Sequence, residues 1–118
     1  MEDIKDLIPS NEELILKKIK HLTFAKVLLW LDWIYRTKGK DELIYVKDLN
    51  KAGTILKGMS YSWVYQILIQ FADVGLLRKI SLADNHVYFR LACNGDLPLI
   101  TKYVDMAEKT VKDAGLLK

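Results

Sequence analysis

The stretch TFAKVLLWLDWIYRTKG, residues 23 to 39, limits the possible folds of this chain more than any other part of it. Read at about 100° per residue, Phe24, Val27, Leu28, Trp30, Leu31, Trp33, Ile34 and Tyr35 cover nearly the whole circumference of a helix. Such a helix must be buried on more than one side, so the remaining elements have to be arranged around it. Thr23 is placed to cap it, and Lys38, Gly39 and Lys40 end it with cations at the negative pole of the helix and a glycine exit.

The 118 residues suffice for a single domain with one core and no metal or disulfide staples. The longest apolar run, Val27 to Leu31, stops at Asp32, far short of the roughly 20 residues a membrane span needs. The acidic start MEDIKDLIPSNEE has neither the basic nor the apolar segment of a signal peptide, so the expected setting is intracellular, in the cytoplasm. A single cysteine, Cys93, forms no internal disulfide, and two distant histidines supply no metal cluster, so neither metal nor cofactor is expected.

Charge is uneven along the chain. Residues 1 to 13 carry one lysine against five acids. Residues 14 to 90 carry thirteen Lys and Arg against six acids, a balance of +7, and residues 91 to 118 balance four against four. The middle of the chain is therefore where an anionic partner would be met.

Around the central helix, Ser10 and Glu13 have the spacing of a capping box that opens a first helix from Asn11 to about His21. Leu43 to Val46 reads as a short strand, and Val46 to Ala52 as a short helix halted by Gly53. The segment SYSWVYQILIQFADVGLL is helical by period. Val64, Ile67, Leu68 and Phe71 share one face, Ser62, Gln66, Ile69 and Asp73 the other, and Gly75 is the breaker.

Residues 76 to 93 read as a hairpin. A two-residue turn at Asp84 and Asn85 opposes Ile80 to Phe89 and Lys79 to Arg90, with one apolar face and one basic face. That register sets two cations directly across from one another, which costs stability unless an anion lies over them. Pro98 suits the first turn of a last helix, over 97 to 115, with Ile100, Tyr103, Val104, Ala107, Val111 and Ala114 in one stripe. The expected class is mainly α with a small β-hairpin, in one domain spanning 1 to 118.

The run SYSWVYQILIQFADVGLLRKI resembles the third helix and first wing strand of winged helix-turn-helix transcription regulators of the MarR and ArsR type. The matching residues are Ser60, Ser62, Val64, Ile67, Leu68, Phe71, Gly75, Leu76, Leu77 and Arg78. Trp63 and Tyr65 stand where that family has small or polar residues, and the helix carries no Lys or Arg. The order of elements is similar to the family's over residues 23 to 91. The resemblance implies an N-terminal arm and helix over 1 to 22, a winged-helix core over 23 to 93, and an added C-terminal helix.

It also implies sequence-specific binding of double-stranded DNA and a role in transcription regulation. Ser60, Tyr61, Ser62, Tyr65 and Gln66 would meet the major groove, and Lys79, His86 and Arg90 on the wing would meet phosphates. Lys47, Lys51 and Lys57 would add positioning contacts. The apolar area of the central and last helices exceeds what so small a sheet covers, which points to a homodimer through the first and last helices.

An alternative is a winged helix used for protein contact in a transcription, replication or membrane-remodelling assembly, favoured by the uncharged, aromatic third helix. The chain has no Gly-rich phosphate loop, no His-x-x-x-His or Cys-x-x-Cys pair and no nucleophile elbow, so no enzyme and no catalytic residue is expected.

Overall fold

A computed structural model describes residues 11–47, 56, 58–84 and 86–115. In chain order the elements are α1 (Asn11–Ile19), α2 (Leu22–Lys38), α3 (Tyr61–Asp73), β1 (Leu77–Ser81), β2 (Val87–Leu91), β3 (Cys93–Asn94), β4 (Leu97–Pro98), a 3-10 turn (Leu99–Tyr103) and α4 (Val104–Asp113). The chain is mainly helical with a small antiparallel hairpin. None of the described helices is long and apolar enough to cross a membrane.

α2 is the axis of the fold, as its composition requires. Ala25, Val27, Leu28, Trp30, Leu31 and Ile34 are all buried, spread over more than half of its circumference. α4 lies along α2, α1 packs on both, and α3 closes the other side, where Phe24 meets Phe71 edge-on at 5.8 Å. Trp33 departs from expectation at 38% exposed. The cap also differs: helix α2 starts two residues early, with His21 at the N-cap making no side-chain cap bond, so Thr23 sits inside the first turn. The expected Ser10 cap lies outside the described residues.

α1 follows helix-dipole chemistry, with Glu12 and Glu13 in its first turn, Lys17 and Lys18 in its last, and Ile15 and Ile19 buried one turn apart. α3 begins at Ser60, whose hydroxyl oxygen accepts from the Trp63 N–H at 3.1 Å. It ends in a Schellman motif: Leu76 N–H donates to Phe71 O at 2.9 Å and Gly75 N–H to Ala72 O at 3.0 Å. Gly75 has φ +87°, which a side chain would strain.

The hairpin forms, but one residue out of the expected register. Leu77 pairs with Leu91, Arg78 with Arg90, Lys79 with Phe89, Ile80 with Tyr88 and Ser81 with Val87. The loop is therefore longer than two residues, with Leu82 N–H reaching His86 O at 3.4 Å. Two local forces select this register. Leu77 and Leu91 are buried together at the inner end, and Asp84 accepts from His86 N–H and from the Tyr88 hydroxyl, both at 2.9 Å, in the manner of an Asx turn. The like-charge pair is Arg78 with Arg90, and Lys79 faces Phe89 instead.

The strand expected over 43 to 46 shrinks to a single bridge, Ile44 with Phe89, closed by reciprocal backbone bonds of 2.7 and 2.8 Å. It falls on the free edge of β2, so the sheet order is residue 44, β2, β1. The short helix expected over 46 to 52 falls largely outside the described residues; Val46 and Lys47 form a 3-10 turn. A second two-stranded ribbon, Cys93 with Pro98 and Asn94 with Leu97, was not signalled by any apolar alternation. The last helix, expected over 97 to 115 with Pro98 in its first turn, begins later: Leu97 and Pro98 are extended as β4, Leu99–Tyr103 is a 3-10 turn, and α4 follows. Its stripe of Ile100, Tyr103, Val104, Ala107 and Val111 is buried, while Ala114 is exposed. Packing on α2 in the same chain therefore absorbs much of the apolar surplus expected of these two helices.

Candidate nucleic-acid interface

α3 is gripped on one face and both flanks, leaving its outer face free. Val64, Ile67, Leu68 and Phe71 are buried in the core. On one flank Tyr65 is half-buried against Phe89 of the hairpin, edge-on at 5.9 Å. On the other, Gln70 Oε1 accepts from Lys18 Nζ of α1 at 2.7 Å. Ser62, Gln66 and Asp73 are exposed between these flanks, with Ile69 partly covered. At the amino end Tyr61 is 41% and Trp63 45% exposed, too open for either ring to be a core residue. Ser60 is also exposed, its oxygen used in the cap.

The hairpin divides its cations between two faces, as the observed register dictates. Lys79 is on the face that carries Phe89 and turns toward α3; Arg78, His86 and Arg90 are on the opposite face. There Arg90 Nη2 sits 3.0 Å from Asp41 Oδ1, and Lys40 Nζ lies 3.4 Å from Asp41 Oδ2. Hydrogen bonding from Arg90, then the charge of Lys40, holds the Asp41 carboxyl below the usual carboxylate range. A carboxylate of the same protein thus answers Arg90, one member of the observed Arg78–Arg90 pair.

His86 is tied down in the same way. Its Nδ1 lies 2.7 Å from the Tyr45 hydroxyl and its ring stacks on Tyr45 at 5.2 Å, with Tyr88 completing the cluster 5.0 Å from Tyr45. The His86 N–H, foremost, lowers the Asp84 pKa. Arg78 is exposed and makes no ion pair among the described residues. Of the three lysines expected to position a duplex, Lys47 is exposed, and Lys51 and Lys57 lie outside the described residues.

The α1 flank was not assigned a role from the sequence, although the run KKIKH, residues 17 to 21, carries the signal. Lys17, Lys20 and His21 are exposed and Lys18 is half-buried, its ammonium 5.4 Å from the centre of the Phe24 ring. What the sequence could not show is that this run borders α3; the Lys18–Gln70 bond, across 52 residues, is a tertiary fact.

Asp32, where the longest apolar run stops, is buried. Burial raises its pKa, while Arg36 Nε, 2.8 Å from its Oδ2, opposes that shift. It lies on α2 and serves the helix, not the interface. The chain matches no protein-family model, no curated protein and no solved structure.

Proposed function

We propose that the chain is a winged-helix protein that binds duplex DNA, with α3 in the major groove and the β1–β2 hairpin as the wing. In this reading it occupies a promoter and regulates transcription. The observation that carries the reading is the outer face of α3: an exposed helical surface with Ser62 and Gln66 at its centre, Tyr61 at its amino end and a lysine-bearing element on each flank. Gln66 has the donor and acceptor needed to read adenine bidentately, and Ser62 bonds either phosphate or base edge. The Ile44 bridge supports the fold reading, because it sets residue 44 beside β2, where the winged-helix plan has its short first strand, although only one residue pair forms.

Because α3 carries no cation, affinity in this reading comes from its flanks and specificity from its face. Titration of a labelled duplex pool at several salt concentrations tests it. Binding with a log–log salt slope of several units supports it, as does loss of sequence preference in Gln66→Ala with the slope unchanged. Absence of salt-sensitive binding overturns it.

A second reading, contact with another protein, is favoured by one observation. Trp63 and Tyr61 expose large rings on a helix face that holds a single acid and no base. Trp63→Ala separates the two: it leaves duplex binding largely intact in the first reading and abolishes partner binding in the second. For a homodimer, the apolar residues still available to a second copy include Leu97, 56% exposed, and Leu99, 38% exposed. Light scattering at micromolar concentration, with Leu97→Glu as control, decides that point.

A further inference from the structure

We propose that the pocket between α1 and α3 is a phosphate-binding site. Its cavity of about 290 Å³ is lined by Leu14, Lys17, Lys18, His21, Phe24 and Gln70. Three of the six are cations or a titratable imidazole, one is an amide, and the two apolar residues form a wall.

Two features make this more than a solvated basic face. Lys18 is held in place, donating to Gln70 Oε1 at 2.7 Å with its ammonium 5.4 Å from the Phe24 ring centre. An ammonium has three donors, so two remain for an anion. The same bond also orients Gln70. Lysine only donates, so the amide oxygen must face it, and the Nε2 group turns its two N–H donors away with no partner among the described residues. Lys17 likewise makes no ion pair among the described residues.

An acceptor-rich anion is the ligand class that answers this set of donors. The cavity, about 290 Å³ and open to solvent, has room for a phosphate group with part of its hydration. The phosphate comes either from a duplex backbone or from free solution. The first source rests on the duplex-binding reading above; the chemistry of the pocket does not. On the duplex, the pocket would hold the strand on the side of α3 away from the hairpin, a contact outside the wing.

The test uses the full chain, the double variant Lys17→Ala/Lys18→Ala and the control Lys112→Ala on the exposed face of α4, with circular dichroism to confirm that each variant is folded. If the wild type binds duplex, the proposal expects the double variant to lower the salt slope by about 0.9 per lost lysine contact, close to two units, while the control leaves it unchanged. Duplex binding with the slope intact in the double variant overturns the pocket and leaves the duplex reading standing.

If the wild type binds no duplex, inorganic phosphate is titrated instead, followed by the ring resonances of His21, assigned through His21→Gln. A saturating shift that the double variant loses supports the pocket with free phosphate as its ligand. No shift overturns it.

Discussion

The two flanks of α3 carry similar numbers of cations but hold them differently. On the hairpin side Arg90 is paired with Asp41 and His86 with Tyr45, while the flank is joined to α3 by buried packing of Phe89 on Tyr65. On the α1 side Lys17 and Lys20 make no ion pair among the described residues, and the join to α3 includes a polar bond, Lys18 to Gln70. A cation counted in a sequence is thus not yet a cation offered to a ligand. The flank with the stronger apolar anchor has more of its charge already answered.

The largest expected effect tests the anchors. Phe89 is fully buried and touches both α3 and the Ile44 bridge, so Phe89→Ala should cost about 3–5 kcal/mol by urea denaturation. Gln70→Ala, which removes the corresponding join on the other flank, should cost about 1 kcal/mol or less. Equal losses would break the contrast.

Next comes charge reversal, provided the chain binds duplex. Lys17→Glu/Lys18→Glu should weaken binding by tenfold or more at about 0.1 M salt, whereas Arg78→Glu/Arg90→Glu should weaken it less, since Arg90 already has its counterion. The opposite ranking would return the grip to the hairpin. Asp41→Asn should then raise affinity modestly by freeing Arg90, an increase that Arg90→Ala cancels in the double variant.

The smallest effect is on pH. The Asp41 and Asp84 carboxyls both lie below their ordinary value of 3.8 in the folded protein. A carboxyl depressed by folding adds stability above its unfolded pKa, and loses it as pH falls through the lower folded value. Both groups are exposed, so the fall in thermal stability below about pH 4 should be slight. It should be confined to the hairpin by amide exchange and be smaller still in Asp41→Asn/Asp84→Asn. A large drop there would mean that exposed pairs, and not Phe89, hold that flank.

Periodicity made the helices legible. The buried face of α3, its Ser60 start, its Gly75 end and the central role of α2 all follow from residue spacing over one to four turns. The hairpin register did not follow from its own pattern. β2 turns Val87, Phe89 and Leu91 inward in either register, and only the inward set of β1 changes. Treating Ile80 and Leu82 as inward made both faces look well sorted. In the structure Leu77 is the inward residue, Ile80 lies beside Tyr88 and Leu82 is exposed, because the buried Leu77–Leu91 pair and the Asp84 side chain act at opposite ends of the ribbon. Of the proposed interface, the outer face of α3 could be read; the engagement of Arg90 and His86 and the place of the KKIKH run could not.

The amino-acid order alone determined where α1, α2 and α3 lie, the stripes that α3 and α4 bury and that α2 lies at the centre, since these depend on apolar spacing along one continuous element. Tertiary structure decided which cations remain without a counterion and which element borders which. Asp41 and Arg90 are 49 residues apart, and Lys18 and Gln70 are 52. No local periodicity reports such pairs, because direct electrostatic and hydrogen-bond contacts act over a few ångströms of space and are indifferent to distance along the chain.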